Sequence, residues 1–458
     1  MTLSVTIPVS TEVIENNPDC LIEGHYEKGR IVIRIDTRHQ NHHHRLGVST
    51  HTKLYWGDEY EYEVQELSGF FWPIRYVVQA RWGYYLDGEG QRVHFTTQAT
   101  GIDSRRKVSA VLMRAAVLLV VIAGAGYRKT SWLLEQLFQV VVSKSSLQRW
   151  VDEVADQLPD SDAIIRRLNA KQAIHEAHLD EWFPKGTDDC VLVIRDEHGR
   201  IVATQTVDTK DEETVKLFLQ RLQRLGLKLH TFYIDGCQAY HNAIRAVYGK
   251  AVQIQYDYFH IIQHAWRHLW KWAVAHRRQL KKRSEMVTTP WYKKKLEALA
   301  QSLWEHRYLL FKADDRLSEE ERAHLTHLLE ADEKVGTLRA FLGGVWHIFE
   351  DSQDEQEARD ALDALKQQRI DRQHREPFDQ VIAFLEKHFA WMTTFLQHEK
   401  VKRNSLAETG MRTLRRLEVD HDGCRSEKGR DNMIRIYQAV KYLGWSVHYP
   451  SPDLLDST

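Results

Sequence analysis

The pattern of apolar and polar residues changes character several times along the chain. In residues 1–105, Gly29-Arg-Ile-Val-Ile-Arg-Ile-Asp36, Tyr60-Glu-Tyr-Glu-Val64 and Arg92-Val-His-Phe-Thr-Thr97 alternate with a period of two. That period predicts half-buried strands, and the glycine and charged clusters between them predict turns, so a small antiparallel module is expected. In residues 106–170 the period lengthens to that of helices, over Ser109–Ala123 and Tyr127–Phe138. The serines of Val141–Ser146 can cap a third helix, Leu147–Ala155.

Residues 171–262 change texture again. Strands are predicted over Ile174–Trp182, Cys190–Arg195, Ile201–Val207, Leu229–Ile234 and Ala251–Tyr256, with helices over Val215–Leu225 and Ala239–Val247. A three-stranded meander followed by two helix-linked strands is the order of a ribonuclease-H-like α/β fold. Residues 263–400 read as helical almost throughout, and residues 401–458 open on a helix near Glu408. The expected fold class is therefore α+β and multidomain. A ribonuclease-H-like core (171–262 and 401–458) is interrupted by an all-helical insertion, after a helix-turn-helix (106–170) and the β-rich module.

Composition alters this picture little. The 458 residues allow about three domains, and 43% hydrophobic with 28% charged residues is ordinary for globular protein. The four cysteines (Cys20, Cys190, Cys237, Cys424) form no Cys-x-x-Cys pair, which argues against a disulfide framework or a cysteine zinc site. The first residues carry no basic-then-apolar leader, and the most apolar run, Ala115–Ala125, is too short to span a bilayer. A cytoplasmic protein with no membrane partner is expected.

Charge matters locally rather than in sum, because the net charge is only −1. A serine-capped helix exposing Lys144, Gln148 and Arg149 suits a recognition helix entering a major groove, although an ordinary three-helix core has the same polar face. Between His264 and Ala300 stand ten Lys/Arg against two Glu, interleaved with Trp266, Trp270, Trp272 and Trp291. Arg277, Arg278, Lys281, Lys282 and Arg283 of that run can track phosphates, or can simply form a solvated helix face. The stretch Leu317-Ser-Glu-Glu-Glu reads as the capped start of a scaffold helix. The histidine tract Arg38–Arg45 reads as a solvated loop near phosphate.

The candidate chemistry lies in three acids. Asp180 nears the end of one predicted strand, Asp235 follows another before a glycine, and Glu408 opens a helix after Asn404. Three such carboxylates can hold two hard divalent cations, Mg2+ or Mn2+, through oxygen ligands, and two metals suit in-line phosphoryl displacement. Glu181, Glu418, Asp420 and Asp422 compete for the same roles. Glu408 is preferred because it follows Asn404 at helical spacing and has the basic residues Arg412, Arg415 and Arg416 after it.

With these residues in place, the chain from about 108 to 445 resembles the DDE transposases of bacterial insertion sequences, of the ISL-three type with an inserted helical domain. The motifs that carry the likeness are Asp257-Tyr-Phe-His260, Asn404-Ser-Leu-Ala-Glu408, Arg415-Arg416, Gly423-Cys-Arg425 and Leu317-Ser-Glu-Glu-Glu-Arg-Ala-His-Leu325. The resemblance implies cleavage of transposon ends and strand transfer into target DNA. It makes Asp180, Asp235 and Glu408 catalytic metal ligands and Asp257 and His260 auxiliary active-site residues. It implies terminal inverted repeats and target DNA as partners, bridged by a homodimer or larger assembly. The chain departs from the family in lacking a cysteine zinc ribbon, and in having Ser405, Thr409 and Met411 around the glutamate. Those changes also fit a transposase-derived DNA-binding protein without catalysis.

Overall fold

The computed structural model describes residues 17–27, 30–69, 72–99, 102–103, 108–370, 375–403, 406, 413–417 and 426–446. They form a mixed α/β chain with two mixed sheets and about 15 helices, in two compact units. One unit comprises residues 1–171, 183–189 and 412–458, the other 172–182 and 190–411.

The first unit is built on strands β1 (Leu21–Glu27), β2 (Arg30–Asp36), β3 (Tyr55–Gly69), β4 (Trp72–Leu86), β5 (Arg92–Thr96), β6 (Ile102–Asp103) and β7 (Val108–Ser109). The sheet is mixed rather than antiparallel, as the sequence pattern had suggested, because β2 pairs in parallel with β4 and β3 with β7. Ile31, Ile33 and Ile35 of β2, with Val64, Ile74, Tyr76 and Val78, form its buried core. The histidine tract is a structured connection, not a solvated loop. His42–Leu46 forms helix α1, capped by Asn41, and Arg38 pairs with Asp36 and Glu59 at 2.6 Å each.

Helices α2 (Ala110–Val121), α3 (Tyr127–Phe138) and α4 (Lys144–Asp156) follow, with α5 (Ser161–Lys171). Ser109 and Ser143 cap α2 and α4 through their side chains, as the serine placement predicts. The last helix, α15 (Glu427–Leu443), packs on α4 and α5. Buried Arg430 pairs there with Asp189 at 2.6 Å, and Asn432 with Asp152 at 2.9 Å.

The second unit holds a five-stranded sheet of β8 (Glu176–Trp182), β9 (Cys190–Arg195), β10 (Ile201–Val207), β11 (Thr231–Ile234) and β12 (Gln253–Tyr256). Their spatial order is β10-β9-β8-β11-β12, with the first two pairings antiparallel and the last two parallel. Strands β9 and β11, apolar apart from Arg195, Thr231 and the Tyr233 hydroxyl, are wholly buried, as near-continuous apolar runs predict. Helices α6 (Glu212–Arg224) and α7 (Gln238–Tyr248) make the crossovers, α6 capped by Asp211 with Glu212 and Glu213 at its positive end.

A helical region then runs through α8 (Tyr258–Met286), α9 (Pro290–Glu305), α10 (Glu319–Ala331), α11 (Glu333–Glu350), α12 (Glu355–Gln367), α13 (Glu376–Met392) and α14 (Thr394–Gln397). Ser318 and Glu321 form a complete capping box at the start of α10. α13 and α14 pack on β12, covering an edge strand that would otherwise expose unpaired backbone.

Candidate active site

The parallel strands bring two of the three proposed acids together. Tyr233 of β11 lies opposite His178 of β8, and their rings stack at 4.2 Å. Asp180 and Asp235 each lie two residues further along, so strand alternation sets them on the same face in the next row. Asp257 follows β12, beside Asp235, because its N–H bonds the Ile234 carbonyl at 2.8 Å. Three carboxylates therefore lie in one row across three neighbouring parallel strands, Asp180 within β8 and Asp235 and Asp257 just after β11 and β12.

Gly236 is required behind Asp235: its φ is +89°, and a Cβ there would meet the Tyr256 ring at 3.1 Å. The turn lets Asp235 Oδ1 accept from Cys237 N at 2.9 Å, and Asp180 Oδ1 accepts from Glu181 N at 2.8 Å. Burial raises both carboxyls, Asp180 to about 6, and the Glu181 charge adds to the rise in each. His260, in the first turn of α8, opposes the rise at both. Half-buried acids that repel one another are a donor set suited to a divalent cation. Among the described residues, no group of three or more His, Cys, Asp or Glu is arranged to hold a metal ion. Glu408 lies outside the described residues, as does Arg412.

Asp257 has a structural task as well, since Oδ1 caps α8 through Phe259 N at 3.2 Å. His260 Nε2 stands 3.9 Å from Asp257 Oδ2. Glu181, weighed only as a competitor from sequence, is close by but engaged: Tyr240 Oη donates to it at 2.6 Å, and Lys210 forms an ion pair with it. The adjacency of Asp180 and Glu181 was the only sequence signal for it. Lys210 and Tyr240 gave none, because their partner is fixed by tertiary packing.

The row behind the acids was also invisible in the sequence. Arg195, His178, Tyr233 and Gln255 lie in one register across β9, β8, β11 and β12, and all four are buried. Each binds main chain in the last two helices of the helical region or in the segment that follows them. Gln255 bonds Met392 O at 2.9 Å and Phe395 N at 3.0 Å, and Tyr233 Oη accepts from Lys402 N at 2.9 Å. His178 Nδ1 accepts from Leu406 N at 3.0 Å, and Arg195 donates to Leu406 O at 2.8 Å. Burial, with Lys402 and Arg195 nearby, depresses the His178 imidazole to about 3, so it stays neutral and able to accept.

The other sequence candidates lie elsewhere. Lys144, Gln148 and Arg149 are exposed in the first turns of α4, and Arg149 also donates to Ser146 Oγ at 3.3 Å. On α8, Arg278, Lys281, Lys282 and Arg283 are exposed. Arg277 stacks on Trp304 at 4.3 Å, and Arg283 lies 5.5 Å from the Tyr292 ring. Trp272 is a core residue, 5.9 Å from Phe378. Arg415 and Arg416 are exposed in the helical stretch 413–417.

A family model described as transposase, of the DDE ISL3 type, matches residues 179–420. Among solved structures the chain is similar to the Drosophila P element transposase strand transfer complex, at 13% identity and a TM-score of 0.34, over 80% of this chain and 96% of that one. No curated protein matches it.

Proposed function

Because the chain belongs to the DDE ISL3-type transposases, we propose that it cleaves the ends of its own element and transfers them into target DNA. Asp180, Asp235 and Glu408 serve as the acidic triad in this reading. One observation carries it: Asp180 and Asp235 lie in one row on the same face of adjacent parallel strands, while the returning chain is bonded to the preceding row at Leu406. Glu408 is two residues beyond that anchor, and two residues span at most about 7 Å. The strand order, a meander and two parallel crossovers, supports a ribonuclease-H-like core, and the serine-capped α4 supports a helix-turn-helix.

The residues fit divalent cations, Mg2+ or Mn2+, with Asp180, Asp235 and Glu408 as the ligands. Two bound ions would supply an activated water and charge stabilisation for the attacking and leaving oxygens. The chain's own part is to hold its acids without rearrangement. The main-chain bonds from Glu181 and Cys237 fix one oxygen of each aspartate, and the other oxygen would serve to hold a cation. Asp257 orients the first turn of α8, and with it His260, whose ring can contact a scissile phosphate. Lys144, Gln148 and Arg149 read the terminal inverted repeats, and the α8 cations with Arg412, Arg415 and Arg416 hold the backbone of terminal or target DNA. Two ends are brought together in a homodimer or larger assembly.

The test is cleavage of duplexes carrying the element's terminal repeats. Purified protein is expected to cut them with Mg2+ or Mn2+, and Asp235→Asn should abolish cutting while leaving DNA affinity within about threefold. Cleavage that survives loss of all three acids would sink the reading. Specific binding without metal-dependent cleavage in the unaltered protein would favour a non-catalytic descendant.

A further inference from the structure

Beside the acids the second unit opens a cavity of about 960 Å³, and Asp257 is part of its wall. The other walls are Trp266 and Trp270 of α8 together with Tyr308 and Phe311. These rings form one aromatic cluster, with Trp266–Phe311, Phe311–Trp270 and Trp270–Tyr308 centroids 5.6, 5.7 and 5.2 Å apart and Phe311 buried at its centre. Trp266 is 40% and Tyr308 63% exposed, as is 48% of Phe259 at the mouth. Large aromatic rings left this open are unusual in a folded chain unless something stacks on them.

The charge around the rings selects the occupant. Five basic residues line the cavity (Arg267, Lys271, Lys312, Arg316 and Arg403) against two acids, Asp257 and Glu350. Lys312 is paired with Glu321 at 2.5 Å, and Arg403 lies over Tyr258 at 4.6 Å. Arg267 and Lys271 stand one helical turn apart beside Trp266 and Trp270 and, among the described residues, make no hydrogen bond or ion pair. Free cations beside an aromatic wall are complementary to phosphates and bases together. In a duplex the faces of the bases are stacked and only their edges are open, so this wall can be used only by a base that has left the stack.

We infer that this cavity is the binding site for an unstacked nucleotide of the DNA end: its base lies on the Trp266–Tyr308 wall and its phosphate on Arg267 and Lys271. The inference deepens the proposed reaction and rests on it, since it places an unpaired end next to the row of acids. The substitutions in the cavity are at exposed side chains, Trp266, Arg267 and Lys271, which keeps loss of folding from mimicking the result.

The experiment uses the full-length protein in EDTA with a fluorescein-labelled oligothymidylate, read by anisotropy. Trp266→Ala is expected to weaken binding roughly 5- to 100-fold, whereas Trp266→Phe retains most of it. Arg267→Ala with Lys271→Ala should lower the slope of log affinity against log salt by about 1.4. Photocrosslinking of a 5-iododeoxyuridine oligonucleotide should mark Trp266, Trp270 or Tyr308. Unchanged oligothymidylate affinity in Trp266→Ala, as expected if a protein segment occupies the groove, would overturn the inference; so would crosslinks confined to other surfaces. The assay needs neither metal nor cleavage. A failure here with Asp235→Asn still inactive would remove the nucleotide site alone, and cleavage by Asp235→Asn would remove the triad alone.

Discussion

At the scale of single residues, Asp180 and His178 make opposite demands on pH. The Asp180 carboxyl is raised to about 6, so its contribution to stability is complete below its ordinary value of 3.8 and is lost as pH rises through about 6. In metal-free protein this penalty should be on the order of 3 kcal/mol by neutral pH, and Asp180→Asn should remove it in denaturant titrations at acid and neutral pH. Below about pH 6 the same proton competes with a cation, so apparent Mn2+ affinity should fall up to tenfold per pH unit. His178 is depressed to about 3, so its contribution is complete above 6.5 and is lost progressively as pH falls towards 3. His178→Phe should keep the ring stack on Tyr233 but leave Leu406 N–H without its acceptor, costing about 1–3 kcal/mol. Its effect on cleavage should exceed its effect on DNA binding.

At the scale of elements, the row Arg195–His178–Tyr233–Gln255 joins secondary structure to chemistry. Tyr233→Phe removes only the hydroxyl that accepts from Lys402 N, and a loss of about 1 kcal/mol is expected by urea denaturation. A second prediction belongs to α4. If it reads DNA, Gln148→Ala with Arg149→Ala should reduce discrimination between terminal-repeat and unrelated duplexes by roughly 10-fold or more, measured by competition binding. The strands that were legible in the sequence were those whose apolar pattern was local, such as Cys190–Arg195 and Ile201–Val207, which match the observed bounds. The parallel pairing of β2 with β4 was not legible, because it joins residues separated by an intervening helix and a long hairpin. Nor was the polar row, since His178 and Gln255 each look like an isolated polar residue until register aligns them. The strand positions of the two acids were legible, Asp235 because it follows the apolar run Phe232–Ile234 and Asp180 because it sits in a short β-prone stretch. Tyr240 and Lys210 were hidden because only packing reveals that they hold Glu181.

At the scale of the whole molecule, no described helix is long and apolar enough to cross a membrane. If the chain binds DNA as proposed, its net charge of −1 leaves the affinity to local patches such as the exposed cations of α8. Affinity for non-specific duplex should therefore fall steeply with salt, and reversal of Arg278, Lys281 and Lys282 to Glu should flatten that dependence. Light scattering of the protein with terminal-repeat DNA is expected to report at least two chains per complex, and a strictly monomeric complex would count against end synapsis.

The polar row also sets an order of events for a newly made chain. Gln255 finds its partners 137 and 140 residues later, at Met392 and Phe395, and His178 waits 228 residues for Leu406. Until then these buried groups lack their partners, so the five-stranded sheet cannot reach its final stability when its last strand emerges. At ribosomal speeds the interval from Gln255 to Phe395 is roughly 7–30 s. During that time the helical region has room to fold first, and its return closes the sheet. Contacts of such long range slow the final step, so a chain truncated after α13 should be held by chaperones rather than folded.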